Sequence, residues 1–550
     1  MRLGATRAAT GQLLDAGDLL STTVFGKESS LQARIRTTSA TLFLVTAGIT
    51  ATGYLRELVL ASLFGAGAEM DAFYFSLALV LAVHDLVFVA ALGAAIVPLL
   101  HVHNVDSAAS LAERARIVVT ATLVVAAFSG LLSILLWIGM PQIVDALAPR
   151  MSEPVRAMST AFGTVLAWSL PAGALTTLFT LVLNAHHRFA LAALAYLANN
   201  VIFLAVLLLF APSLGARVLP LAAMAGPILT VLVLAMQLTR LGLLRRVRPD
   251  LSRPFFQPFW RLSRMLLLSF GIGSTGGLLM SSQLIIRSFA ADYGEGAIAA
   301  LGYAFRLYYV PLSLIASPAA TLALPMVASL YAAGRLRDIG QICRQVFLWG
   351  LIILFPAAII AWGGADLIVH VFLRRGNFDA EAARITAEAL RGFAPAMMME
   401  ATFVVFFRVF YALRMPNRTV VVALVALASL IVLLLLVPRM AFIEVPLCLS
   451  AAFTVATCVL VTFLVRILGW EALPDREQLM RWLASATLGV AAWKLVSLYP
   501  ADDDVGSQLR ALTVFLGAYF LSVGVLLPDC RRAASLLMRG AVNRTGWWRR

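Results

Sequence analysis

The chain reads as an all-α polytopic membrane protein. About fourteen transmembrane helices form two pseudo-symmetric six-helix lobes around a central cavity, with two further C-terminal helices. Three observations predict this. Of 550 residues, 61% are hydrophobic and 13% charged, and mean hydropathy is +0.91; a soluble domain carries about 25% charged residues. Apolar runs of bilayer-crossing length, about 20 residues, recur along most of the chain. A Gly-x-Gly-Ala turn appears twice, at matched positions.

Charge-free runs mark spans outright at 117–144, 189–216, 218–239, 265–286, 307–334, 345–365, 445–465 and 511–528, and others carry an isolated charge or histidine. In order, the helices fall within 38–64, 71–102, 115–140, 156–184, 189–212, 217–243, 262–291, 298–332, 340–372, 384–413, 418–438, 441–467, 480–499 and 509–528. The chain divides into a cytoplasmic tail (1–36), a first lobe (37–244), a basic cytoplasmic linker (245–261), a second lobe (262–468), the extra helix pair (469–530) and a basic cytoplasmic tail (531–550). With the N-terminus in the cytoplasm, that side holds 29 of the 43 Lys and Arg residues, the outer side 10 and the spans four. The excess of basic residues on one side orients both termini to the cytoplasm. It also accounts for the net charge of +15 without nucleic acid.

Phe64-Gly65-Ala66-Gly67-Ala68 joins the first two spans, and Tyr293-Gly294-Glu295-Gly296-Ala297 joins the seventh and eighth. Arg56 precedes the first turn and Arg287 the second; Pro98 and Pro325 follow at similar distances. Both copies run from an outward-going helix into an inward-going one, so the repeat is parallel, about an axis along the membrane normal.

Cys343, Cys448, Cys458 and Cys530 form no CxxC pair and read as apolar fillers rather than a disulfide framework or zinc site. His101, His103, His186 and His187 fall at helix ends, and no metal site is expected. Residues 1–36 lack the apolar core and cleavage site of a signal peptide. No Gly-x-x-x-x-Gly-Lys motif is present, which argues against ATP hydrolysis. Asp502, Asp503 and Asp504 form the one dense acidic cluster, in an outer loop where solvation explains it. No nucleophile and base come together, so an enzyme is not expected.

The charges inside spans carry the functional reading. A buried charge costs from about 3 to over 10 kcal/mol in a bilayer, so such residues face a bundle interior or wet cavity. Arg56, Arg287, Arg306 and Arg408 suggest an anionic, phosphate-bearing cargo, since guanidinium suits bidentate phosphate binding. A cationic drug is disfavoured by the same charges.

Several stretches resemble the MviN/MurJ lipid II flippases. Gly53-Tyr54-Leu55-Arg56-Glu57, then Phe64-Gly65-Ala66-Gly67 and Asp71-Ala72-Phe73, is similar to that family's first-helix pattern G-x-x-R-D, F-G-A-G, D-A-F. Arg306-Leu307-Tyr308 with Pro311-Leu312, Arg375-Gly376-Asn377-Phe378, and Phe410-Tyr411-Ala412-Leu413 with Arg418-Thr419 resemble further family motifs in the same order. The resemblance spans roughly 37–530. It implies a fourteen-helix member of the multidrug/oligosaccharidyl-lipid/polysaccharide exporter superfamily in a bacterial inner membrane. Such a protein would move an undecaprenyl-diphosphate-linked glycan, lipid II first among them, by alternating access. An exopolysaccharide repeat unit is the alternative cargo; a non-transporting scaffold or membrane enzyme is the other class. Implied partners are that glycan, membrane lipids and enzymes of envelope synthesis. No cofactor is implied, and coupling would be to membrane potential or a monovalent cation.

Departures bear on specificity. The family's second helix carries arginines, whereas this chain has Phe75-Ser76-Leu77-Ala78-Leu79 and then His84-Asp85. Glu57 replaces an Asp, Asn377 a small residue, and Phe305 the acid that would neighbour Arg306.

Substrate-binding candidates are therefore Arg56, Arg287 and Arg306, each against a bland reading: interfacial snorkelling or pairing with Glu57 or Asp71 for Arg56, snorkelling for Arg287, and an interhelical lock with an acidic group elsewhere for Arg306. Adjacent helix positions diverge by about 100°, so Glu57 is expected to face away from Arg56. Gate or coupling candidates are Glu57, Asp71, His84, Asp85, Glu400 and Arg408. Asp71 is as well placed to cap its own helix. Glu400 and Arg408, eight apart on one helical face, suggest a gate or structural ion pair, with substrate contact the equal alternative. His84-Asp85 suggests proton or sodium coupling, against an interhelical hydrogen bond.

Overall fold

The computed structural model describes residues 47–89, 108–186, 188–244, 281–436, 441–497 and 505–527, with Val45 and Leu92. The two tails, the linker 245–261, Pro98, His101, His103, His187, Asp502–Asp504 and Cys530 lie outside the described residues.

The first lobe comprises α1 (47–64), α2 (Ala68–His84), α3 (Ala108–Leu147), α4 (Glu153–Ala167), α5 (Leu170–Ala185), α6 (Phe189–Leu214) and α7 (Val218–Arg240). The second comprises α8 (281–290), α9 (Ala297–Ala332), α10 (Leu336–Gly363), α11 (Ala365–Phe372), α12 (Ala380–Phe393), α13 (Ala396–Ala412), α14 (Pro416–Leu436) and α15 (Glu444–Leu468). A hairpin of α16 (Arg476–Ser497) and α17 (Val505–Leu526) completes the described chain.

Among the described residues, eight stretches are long and apolar enough to cross a membrane, or ten if each of two bent pairs is one span. One of them, Leu191–Arg240, turns back at Gly215, φ +55°, so that α6 packs along α7. The set is compatible with fourteen crossings.

The bent pairs are α4–α5, at 44°, and α12–α13, at 50°. The length of the apolar runs predicts each as a single helix, 156–184 and 384–413. Proline supplies the break: Pro171 opens α5 and Pro395 caps α13, and neither has an N–H to continue the preceding helix. The expected helix 340–372 likewise divides at Gly364.

The lobes repeat in contacts as well as in order. In the first, α2 packs on α4, α3 on α5, and α7 on both α5 and α6. In the second, α9 packs on α12 and α13, α10 on α13, and α15 on both α13 and α14. Hydroxyls staple these neighbours: Ser76 Oγ donates to the Ser159 carbonyl at 2.7 Å and Ser133 Oγ to Ala167 at 2.8 Å. In the second lobe Ser450 Oγ donates to Gly392 at 2.8 Å and Thr457 Oγ1 to Met399 at 3.0 Å. Lipid offers no competing partners, and such bonds contribute about 0.6–2 kcal/mol each. Close approach needs small residues, and a β-carbon on Gly392 would strike the Ile443 carbonyl and Pro446.

The C-terminal hairpin has its own small core of Leu348, Ile352, Phe515 and Tyr519. It docks on α10 through Tyr519 Oη, which donates to the Ile352 carbonyl at 3.0 Å.

Candidate functional site

The lobes meet where α2 packs against α9, beside the two glycine turns. Gly296 holds φ +89°, and a β-carbon there would lie 2.5 Å from the Ala66 carbonyl oxygen; only glycine permits that backbone and that approach. Tyr303 Oη donates to the Gly65 carbonyl at 2.8 Å. From the 373–379 loop, Asn377 N–H donates to Ser62 at 3.0 Å and its Nδ2 to Leu63 at 2.6 Å.

Asp71 binds this seal together, though not by capping its own helix. The N-cap of α2 is Gly67, with no side-chain cap bond. Asp71, only 2% exposed, reaches across the lobes and accepts the backbone N–H groups of Gly296 and Ala299, both at 2.6 Å. It thus satisfies the orphan donors at the start of α9, where the helix dipole favours negative charge.

Deeper lies a carboxylate that sequence spacing had turned the wrong way. Glu57 is 1% exposed. It accepts from Arg56 Nη2 at 2.8 Å and from the Tyr74 hydroxyl, and forms an ion pair with Arg306 Nε at 3.1 Å. The flexible Arg56 side chain bends back to the neighbouring residue, which the angular offset of their Cβ atoms does not forbid. Arg306, without an acid at 305, takes its counter-ion from the other lobe. Arg56 also stacks over the Phe203 ring, 4.9 Å from its centroid, and its Nε has no hydrogen-bond partner among the described residues.

Both arginines line a cavity of about 270 Å³ with Gly53, Tyr54, Tyr196, Asn200 and Tyr309. Arg306 is the more open of the two, its side chain 40% exposed against 13% for Arg56. Arg287 is not among the cavity's lining residues. It is buried, donates from Nη1 to the Gln283 carbonyl at 3.0 Å, and its Nε has no hydrogen-bond partner among the described residues.

The remaining candidates do not themselves line this cavity. Glu400 is buried on α13 and accepts the Tyr308 hydroxyl from α9; it makes no ion pair with Arg408, which is half-buried on the same helix. The gate pairing expected from their spacing is therefore replaced by a Tyr–Glu contact. His84 closes α2 and Asp85 opens a π-helical turn, Asp85–Val89. They pair at 2.9 Å, and His84 Nε2 lies 3.3 Å from Thr177 Oγ1 on α5. Tyr74, Tyr303 and Thr177 were not singled out from sequence, and Tyr308 stood only within the Arg306-Leu307-Tyr308 motif, without a role of its own. A tyrosine or threonine in an apolar run carries no signal until its partner is known. Among the described residues, no three His, Cys, Asp or Glu side chains converge in a way that could hold a metal.

The sequence model of the family described as lipid II flippase MurJ matches residues 60–512. The chain belongs to the MurJ lipid II flippase family. Curated MurJ relatives agree along most of the length. A probable lipid II flippase MurJ of Rhizobium tropici is 26% identical over 483 residues, covering 85% of this chain and 88% of that one. Another, from Rhizobium meliloti strain 1021, is 28% identical over 368 residues, 64% of this chain and 66% of its own. A solved MurJ in an inward closed conformation matches with TM-score 0.72 at 16% identity, over 89% of this chain and 99% of that one. An outward-facing multidrug MATE transporter of the MOP superfamily gives TM-score 0.58 at 13% identity, over 78% and 94%. These structural likenesses establish a shared fold. MurJ membership places the chain among multi-pass membrane transporters rather than catalysts.

Proposed function

We propose that this protein carries lipid II from the inner to the outer leaflet of a bacterial cytoplasmic membrane by alternating access. One observation supports this above the rest: Arg56 and Arg306, from different lobes, share Glu57 at the wall of a cavity. Arg287, outside the cavity lining, is within electrostatic reach of Glu57 and Arg306, so among the described residues positive charge at the site exceeds negative. A diphosphate supplies matching negative charge, and guanidinium groups bind it by paired, charge-assisted hydrogen bonds. The open edge of Arg306 meets the phosphate first. Glu57 keeps its Tyr74 partner when an arginine turns away, so the exchange leaves no bare buried carboxylate.

The isoprenoid tail stays in the bilayer while the headgroup occupies the cleft. Breaking the seal at Asp71, Tyr303 and Asn377 opens one end, and its re-formation closes it. Both termini face the cytoplasm, where most basic residues fall. Envelope-synthesis enzymes that deliver the cargo are the expected partners. Membrane potential assists return of the positively charged empty cavity, at about 2.3 kcal/mol per charge per 100 mV.

A second cargo, another polyprenyl-diphosphate glycan such as an exopolysaccharide repeat, is favoured by one feature: α2 carries His84 and Asp85 where the family pattern has arginines. The deciding experiment is complementation of a bacterium depleted of its lipid II flippase, with wild type, Arg56→Ala and Arg306→Ala expressed to equal levels. Rescue by wild type alone supports lipid II and the basic cleft. Failure of well-expressed wild type overturns lipid II in favour of the second cargo. Rescue by both variants removes the arginines from the mechanism.

A further inference from the structure

The π-helical turn at the end of α2 holds a polar group that the cleft chemistry does not use. A π turn inserts a residue into a helix, a distortion that recurs at functional sites. Here it follows a histidine and begins with an aspartate, within one apolar stretch, Ala68–Val89. Their side chains are 15% and 28% exposed, His84 the less. An aspartate and histidine so placed in a membrane protein call for an explanation by function.

We infer that His84 and Asp85 form a proton-binding site whose occupancy is linked to binding of the anionic headgroup in the cleft. The inference rests on the reading of the cleft given above.

Three features support it. First, both ring nitrogens of His84 have partners suited to either protonation state. Nδ1 faces Asp85 Oδ1 at 2.9 Å and Nε2 faces Thr177 Oγ1 at 3.3 Å. An imidazolium donates from both nitrogens, and a carboxylate and a hydroxyl oxygen accept. In the neutral ring Nδ1–H still donates to Asp85, while the threonine hydroxyl rotates to donate to Nε2. Threonine can do both, so the site loses no hydrogen bond when one proton enters from water or leaves to it.

Second, among the described residues no other charge pairs with His84 or Asp85. The helices packed around it present few titratable groups. Along α5 there is none before His186 at its far end. On α6 there is only Tyr196, within electrostatic reach of Asp85. The turn meets α3 at Phe128, against Phe88, far along the helix from Glu113, Arg114 and Arg116 at one end and Asp145 at the other. On α2 itself Glu69, Asp71 and Tyr74 lie more than two turns away. The proton therefore decides whether this wall of the first lobe is neutral or carries one negative charge.

Third, the wall is continuous with the cleft. Tyr196 lines the same cavity as Arg56 and Arg306. Removing a negative charge there favours a diphosphate, and the diphosphate in turn favours the proton, because linkage between two binding sites is reciprocal.

The test uses the purified full chain in detergent and undecaprenyl diphosphate as probe. Affinity is measured at pH 5.5 to 8, the range in which imidazoles titrate, for wild type, His84→Gln and Asp85→Asn. Glutamine keeps hydrogen-bonding capacity without the proton. The probe's own titration is common to all three proteins and cancels in the ratio of affinities. Monodisperse elution and retained binding at pH 8 identify folded variants. The expected result is a wild-type to His84→Gln ratio that grows about fivefold or more as pH falls, within the usual span of coupling between sites, and a smaller growth for Asp85→Asn, whose histidine has lost its carboxylate partner. A ratio constant with pH, while all three bind, overturns the proton site and leaves the cleft intact. Absence of binding by wild type at every pH overturns the reading of the cleft, and the linkage with it.

Discussion

The two copies of the helical hairpin, α1–α2 and α8–α9, follow one backbone path yet play opposite chemical parts. Across the buried seal the first copy accepts and the second lobe donates. Asp71 accepts from the start of α9, Gly65 from Tyr303, and Ser62 and Leu63 from Asn377 of the 373–379 loop, while Glu57 takes Arg306 as a counter-ion. The glycine turns align, but Asp71 corresponds to Ala300, so the acid has no counterpart in the second copy. Arg150 to Asp292, at 2.7 Å, runs the other way, and it lies at the exposed rim. A duplicated fold thus supplies two bodies that can rock, while divergence of a few side chains supplies the lock between them.

Removing the lock piece by piece tests this polarity. Glu57→Ala leaves two arginines without their shared counter-ion, one in each lobe. Stripping one partner from a buried pair costs about 3–5 kcal/mol, so this variant should show the largest fall in thermal unfolding midpoint. It should fall less once Arg306→Ala is added, since the second change removes a stranded charge. Asp71→Asn keeps one acceptor oxygen but loses the charge. A hydrogen bond to a charged group is worth about 1.5–3 kcal/mol, and spin labels at Glu69→Cys and Glu295→Cys should report a broader, longer distance between the lobes. Tyr303→Phe removes a neutral bond worth about 1 kcal/mol and should broaden that distribution only slightly. Arg150→Ala removes an exposed pair worth at most about 1 kcal/mol, and any effect should vanish in high salt. If Arg150→Ala opened the lobes more than Asp71→Asn, the buried acceptor–donor asymmetry would not be what holds them.

Much of the fold was legible because a bilayer forces it. Span length, small residues and the repeated Gly-x-Gly-Ala turn leave few alternatives once backbone groups must be satisfied internally. The bends at Pro171 and Pro395 were also written in the sequence, but long apolar runs on both sides masked them. The site was half legible. Isolated arginines in apolar runs pointed to Arg56 and Arg306, and the structure brings those two together. Their meeting point was hidden, because helical angles describe where Cβ points and not where a six-bond guanidinium arm ends. Asp71 misled for a related reason: a carboxylate near a helix start is the same signal whether it caps that helix or the one opposite. Glu400 and Arg408 share a helical face without touching, and Tyr308 takes the place that spacing had assigned to arginine.

The C-terminal hairpin bears on how the molecule is made. The lobes pack around one continuous core that takes in residues from Leu60 to Ala472, whereas α16 and α17 pair mainly with each other and touch the rest through α10. They also leave the ribosome last among the described helices. A nascent chain can therefore close both lobes before this pair is inserted, and late translation errors or premature stops in it should leave an assembled bundle rather than an unfolded one.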